Sequence, residues 1–177
     1  MAYRPLHGAV GKETEPMIIR KTQFSDIDDI MSIYESARAF MRLSGNGKQW
    51  GSGYPTRAIV ENDITSENGY VVVDEGEIIG AFFFKIGTDP TYIKIYDGQW
   101  INDEKYGVIH RIAVKYQGRR IASFIYNYCL GIINNIKIDT HKDNTPMQKS
   151  LLKNGFMYCG IIHLENGDER IAYQKAE

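Results

Sequence analysis

The sequence is poor in the groups that build metal centres and disulfide frameworks. Its 177 residues hold two cysteines, Cys129 and Cys159, and four histidines. There is no CxxC pair and no His/Cys cluster at zinc spacing, so no metal is expected and a reducing compartment suits the chain. Both cysteines are expected to be small buried hydrophobes. An excess of charge of one sign is also lacking. The formal net charge is -1, which provides no basic field for nucleic acid or an anionic membrane surface, so any anion site must be local. No segment offers about 18 consecutive apolar residues, and the N-terminus lacks the apolar stretch of a signal peptide; the expectation is a soluble, cytoplasmic protein. A GxGxxG fingerprint, a Walker lysine and a Ser or Cys nucleophile elbow are all missing. Their absence argues against a general nucleotide-binding domain and against an acyl-enzyme.

What is present is 43% hydrophobic residues, enough for a buried core in one domain. Residues 1–16, MAYRPLHGAVGKETEP, mix Gly, Pro and charge without periodicity and read as an extension, leaving 17–177 as a single domain. MIIRKT reads as a strand. Ser25 with Asp28 three residues on, ahead of Ile27, Ile30, Met31, Tyr34, Ala37 and Met41, reads as a capped amphipathic helix. After an irregular loop, GNGKQWGSGYP, Thr56 caps a short second helix. GYVVVD and IIGAFFFKIG form a hairpin around Glu75-Gly76, and TYIKIYD and YGVIHRIAVK give two further strands. A helical stripe runs from Ile121 to Ile132, followed by the strand NIKIDT and a helix capped by Asn144 or Thr145 with Pro146 in its first turn. FMYCGIIHL then pairs with RIAYQKA across Asn166-Gly167. The order is βααββββαβαββ.

The stretch VKYQGRRIASFIYNYC carries the clearest chemical signal. A strand ends, a short polar turn follows, and a helix begins just after Arg119 and Arg120. The first amides of a helix lack intrahelical partners and attract anions. Two cations at that end oppose the helix dipole by roughly 0.3–1 kcal/mol each, which a phosphate-bearing ligand would compensate.

This order, with HRIAV running into QGRRIA, resembles the GCN5-related N-acetyltransferase superfamily over Met17 to Glu177. The resemblance implies an α/β (α+β) fold: a mixed, largely antiparallel sheet of about seven strands flanked by about four helices. Members carry a (Q/R)xxGx(G/A) turn whose amides hold the pyrophosphate of acetyl-CoA. Here it reads Gln117, Gly118, Arg119, Arg120, Ile121, Ala122, with Arg120 in place of the middle glycine. A second marker, an Asn on the helix after the fifth strand followed by a GF pair, is met by Asn144 with Gly155-Phe156, and the resemblance implies that Asn144 takes part in binding the cofactor. IDTHKDNTPMQ and CGIIHLENGDERIAY are similar to one bacterial branch of uncharacterised acetyltransferases. The residue seven after Asn144, often a Tyr that protonates the departing thiolate, is Leu151 here.

The resemblance implies an acyltransferase moving the acetyl group of acetyl-CoA to a primary amine by direct attack, with acetyl-CoA as cosubstrate and no metal. An amine with a pKa near ~10.4 must lose a proton on or before attack. His110, before the turn, or His141, after IKIDT, could accept it; the alternative roles are a core histidine for His110 and a loop histidine orienting Asp139 or Asp143 for His141. Backbone amides near Ile112, Ala113 and Val114 are what the family offers a developing oxyanion. Trp50 and Tyr54 lie where members cover the acceptor, and either packing or recognition suits them. Partners are acetyl-CoA and an amine acceptor, with no nucleic acid and no membrane; an oligomer is compatible. The rival reading is a noncatalytic acyl-CoA-binding or sensing protein, favoured by Arg120 and Leu151.

Overall fold

The computed structural model describes residues 16–177; the extension expected over 1–16 lies, apart from Pro16, outside the described residues. Seven strands, β1 (Ile18–Lys21), β2 (Gly69–Asp74), β3 (Glu77–Ile86), β4 (Gly107–Val114), β5 (Asn135–Thr140), β6 (Met157–His163) and β7 (Glu169–Ala176), form one sheet. Four helices accompany them: α1 (Ile27–Leu43), α2 (Arg57–Thr65), α3 (Ile121–Ile132) and α4 (Thr145–Lys153). The strand order is β1, β2, β3, β4, β5, β7, β6, and every neighbouring pair is antiparallel except β4 with β5. This is the mixed, largely antiparallel α/β sheet implied by the resemblance.

Period-two burial divides the sheet faces. On one face Ile121, Ile125, Tyr126 and Cys129 of α3 and Leu151 of α4 pack on Tyr70, Phe82, Ile109 and Ile138. On the other, Ile27, Ile30 and Tyr34 of α1 and Val60 of α2 pack on Val71, Ala81 and Ala113. Both cysteines are buried, and burial pushes their thiols up. Thr56 caps α2 by accepting from the Ile59 amide, and Asn144 rather than Thr145 caps α4, accepting from the Met147 amide. The start of α1 differs from the Ser25/Asp28 reading. A 3-10 turn over Phe24–Asp26 precedes the helix, and Asp26 accepts from the Gln23 amide at 2.7 Å while pairing with Arg20. Asp26 stands at the N-cap position of α1 without a side-chain cap bond to it; its carboxylate, held by Arg20 of β1, closes the preceding turn instead.

TYIKIYD is not a strand. Pro90–Tyr92 is a 3-10 turn, and beyond it only Tyr96 bridges to Ile161. The physical reason is that β3 and β4 pair directly with each other, so the sheet has no slot between them. Residues 87–106 instead cross the α1 side of the sheet, where Tyr92 packs on Val108, Ile162 and Ala172. Gly98 permits the close approach: a Cβ there would lie 2.0 Å from the carbonyl oxygen of Cys159.

Two features of β4 shape the site. The first is a bulge: Ala81 faces Ala113 and Phe83 faces His110, so Arg111 and Ile112 both oppose Phe82. Arg111 has φ 53°, and its guanidinium is locked to Asp63 of α2, one nitrogen lying 2.7 and 2.6 Å from the two carboxylate oxygens. The second is that β4 and β5 pair only at Gly107 with Ile136 and Val108 with Lys137. Beyond Val108 the two parallel strands diverge.

Asp63 is buried, and desolvation raises its carboxyl despite the attraction of Arg111. Removing the cation therefore leaves a buried acid without its counter-charge. Arg111→Leu should lower stability by about 3–5 kcal/mol in urea unfolding, with Asp63→Asn also destabilising; a loss below about 1 kcal/mol for Arg111→Leu would show that the pair does not hold the bulge.

Candidate active site

The divergence of β4 and β5 opens a cleft of about 540 Å³. Its walls come from the α1–α2 loop (Lys48, Gln49, Trp50, Tyr54), β4 (His110, Arg111, Ile112) and β5 (Asp139, Thr140). Asp89, the cap Asn144 and the β6–β7 hairpin, including Arg170, complete them. The β5-facing edge of β4 beyond Val108 has no strand partner among the described residues, so alternate backbone N–H groups beyond the bulge, that of Val114 among them, face the gap, while the Lys115 amide donates to Ile79 on β3. Thr140 is fully buried there, and its hydroxyl has no hydrogen-bond partner among the described residues.

His110 lies where the α1–α2 layer meets the 87–106 crossing. Its Nε2 is 2.8 Å from Asp89 Oδ2, and its Nδ1 is 3.8 Å from Asp139 Oδ1. The amide and hydroxyl of Thr91 both donate to Asp89 Oδ1, at 2.9 and 2.7 Å. Burial alone would raise the Asp89 carboxyl; the hydrogen bonds from His110 and Thr91 outweigh it and hold the group well below the usual carboxylate range. Asp89 is therefore an anion placed to accept from His110 Nε2, and in the tautomer that donates there Nδ1 is the acceptor nitrogen, on the side of Asp139. Tyr92 fixes the second acid by donating to Asp139 Oδ1 at 2.6 Å.

The other sequence candidates divide. His141 does not line the cleft; its Nδ1 accepts from the Asp143 amide at 3.1 Å, and burial followed by the charge of Arg170 lowers its pKa. Trp50 is buried, edge-on to Tyr34 and Tyr54 at 5.6 and 6.2 Å, and still lines the cleft, so it packs and walls at once. Tyr54 is exposed on the same wall. Asn144 donates to Gln49 Oε1 at 2.8 Å, tying the loop that carries Trp50 to the start of α4. Leu151 is fully buried in the α3–α4 layer.

The turn over 117–122 leads into α3, whose first amides have no side-chain cap. Gly118 has φ +77° and open space where a Cβ would stand. Arg120 has φ 57° and ψ 23°, the left-handed conformation glycine favours, at a cost of about 1–2 kcal/mol for a residue with a Cβ. Arg119 points to Asp74 at 2.7 Å. Uncapped amides on an open, glycine-containing turn are a donor set that fits a phosphate.

Residues 30–156 match the model of the acetyltransferase (GNAT) family. The chain belongs to that family. A GNAT-family acetyltransferase from Streptococcus agalactiae 2603, of known crystal structure, is 32% identical; the match covers 93% of this chain and 97% of that one, with a TM-score of 0.84. A GNAT-family acetyltransferase from Listeria monocytogenes 4b F2365, 21% identical over 90% of this chain and 94% of that one, shares the fold at a TM-score of 0.66. No protein of curated function matches the sequence. The protein is thus an acyltransferase, and its family uses acetyl-CoA as cosubstrate. Among the described residues no group of three or more His, Cys, Asp and Glu could hold a metal ion, and no helix is long and apolar enough to cross a membrane.

Sequence reasoning missed Asp89, Tyr92 and Arg170. The D-P-T tripeptide at Asp89 carried a cap signal, an acid before proline, that the strand reading of the following residues hid.

Because its folded pKa is depressed, Asp89 contributes stability above its unfolded value near about 3.9, and that contribution is lost as pH falls towards the folded one. Wild type should exceed Asp89→Asn by about 1.5–3 kcal/mol at pH 7, with the gap narrowing below about pH 4 in urea titrations. A gap that is constant with pH would mean that Asp89 is not held as an anion.

Proposed function

We propose that the protein transfers the acetyl group of acetyl-CoA to a primary amine of a small molecule or peptide by direct attack, within one domain spanning residues 17–177. The observation that carries this reading is the Asp89–His110 pair on the cleft wall, an oriented imidazole whose Nδ1 lies towards Asp139 of β5. When bound, acetyl-CoA supplies a thioester carbonyl open to attack. Gln117, Gly118, Arg119, Arg120, Ile121 and Ala122 hold its pyrophosphate through backbone amides, Arg119 and Arg120 adding charge at the rim. Asn144 fixes the start of α4 beside the gap.

His110 accepts the proton that the amine sheds as its nitrogen bonds to the carbonyl carbon, and Asp89 stabilises the imidazolium that forms. Within Ile112, Ala113 and Val114, the backbone N–H groups turned to the gap meet the oxygen that gains negative charge, while that of Ala113 belongs to the β3 ladder. Leu151 has no proton to donate, so the sulfur departs as thiolate when the C–S bond breaks. Asp139 and Asp89 attract a cationic amine to this wall, and Trp50 and Tyr54 bound the acceptor side. His141, whose Nδ1 is already engaged by a backbone amide, is left outside the proton path. The composition supports a cytoplasmic setting.

His110→Ala should lower kcat by about 100-fold or more with a competent amine, while calorimetric acetyl-CoA affinity stays within severalfold. His141→Ala should cost less than tenfold. Wild-type turnover by His110→Ala, or acetyl-CoA binding by wild type without thiol release over a broad amine panel, would contradict this reading; the second result is what a noncatalytic sensor gives.

A further inference from the structure

The proposed mechanism uses the acidic wall of the cleft and leaves a buried cation on the cleft lining without a task. Arg170, near the start of β7, is only 6% exposed and lines the cleft. One of its nitrogens donates to the Glu169 carbonyl at 2.9 Å. Among the described residues no carboxylate lies within ion-pair distance of its guanidinium. Asp168 also lines the cleft, but its carboxylate accepts from Asn166 at 3.0 Å instead. A buried cation without a counter-ion is costly, and a guanidinium presents a planar fork that matches a carboxylate with two parallel hydrogen bonds.

Register fixes where that fork lies relative to the proposed base. Asp139 pairs with Ala172 across β5 and β7, and Arg170 is two residues from Ala172, on the same face. Such diagonal neighbours are roughly 7–8 Å apart at Cα. His110, Asp139 and Arg170 therefore line one wall, acidic at the His110 end and cationic at the hairpin end. Lys48 adds a second, exposed cation from the α1–α2 loop. The spacing suits a small molecule with positive and negative groups a few bonds apart.

We propose that the acceptor is a small amino-acid-type molecule, carrying a carboxylate as well as the reacting primary amine, and that Arg170 holds the carboxylate. This rests on the amine-acetylation reading above. It makes Arg170 a specificity-determining residue that orients the amine towards His110.

The test pairs amino acids, including some with the amine on a terminal carbon, with their decarboxylated amines, and follows thiol release and N-acetyl product with the full chain. The carboxylate-bearing member of the preferred pair should show at least tenfold higher kcat/KM, mainly through KM. Arg170→Gln should collapse that ratio towards one by raising KM for the amino acid, and Arg170→Lys should restore only part of it; calorimetric acetyl-CoA binding certifies that each variant folds. Equal kcat/KM within every pair for wild type, which needs no variant, overturns the inference and leaves amine acetylation standing. So does a ratio that survives Arg170→Gln. Acetylation of no amine, with acetyl-CoA still bound, overturns the amine reading and this inference with it.

Discussion

Everything at the site depends on β4 parting from β5 after two paired positions. A parallel pair continued to the strand ends would close the gap, satisfy the backbone amides beyond Val108 and leave no room for a ligand between the strands. The bulge at Arg111 and Ile112 makes the separation durable, because it bends and twists β4 where pairing with β5 stops. Such a bulge needs an anchor, and the Arg111–Asp63 pair fastens it to α2 while the Arg111 guanidinium lies 4.7 Å from the Phe83 ring centroid. Tyr34 of α1 donates to the Arg111 carbonyl at 3.2 Å, so both helices of that layer grip the same distortion.

The same break in β4 sets the electrostatics. His110 directly precedes the bulge, and the 87–106 crossing comes over it to supply Asp89 and Tyr92. Two carboxylates thus converge on one imidazole, each fixed by a donor of its own: Thr91 for Asp89 and Tyr92 for Asp139. An imidazole held in this way has a fixed orientation, which suits the base role proposed for it. At the far end of the cleft, Asn144 both caps α4 and hydrogen-bonds Gln49, so the loop bearing Trp50 is fixed relative to β5. Acceptor wall and sheet are joined through side chains in addition to the backbone.

Much of the fold was legible because it is written in local signals. Thr56, Asn144 with Pro146, the Glu75-Gly76 turn and Asn166-Gly167 mark element boundaries by their own conformational preferences, and these boundaries are where the structure has them. TYIKIYD misled because alternating aromatic and β-branched residues also suit a segment lying flat on a sheet; only the β3–β4 register, a long-range property, decides between the two. The Asp26 contact with the Gln23 amide was similarly hidden, since its partner Arg20 comes from a different element. At the site, QGRRIA and HRIAV pointed to a turn and a cleft by sequence order alone. Asp89 and Arg170 escaped notice because each acquires meaning from a neighbour distant in sequence: His110 is 21 residues from Asp89, and Asp139 approaches Arg170 only through the β5–β7 pairing. Arg120 was legible as the replacement of a glycine, and its left-handed backbone shows that the turn keeps a glycine-like path despite the side chain.

The central claim is that the gap between β4 and β5 is the thioester site. A crystal structure of the protein with acetyl-CoA or a non-hydrolysable analogue tests it most directly. The account predicts the pantetheine arm between β4 beyond Val108 and β5, the pyrophosphate on the amides of residues 117–122, and the acetyl carbonyl within reach of the Ile112–Val114 backbone with His110 on the acceptor side. Density for the ligand elsewhere, or β4 and β5 paired along their full length in the complex, would contradict it.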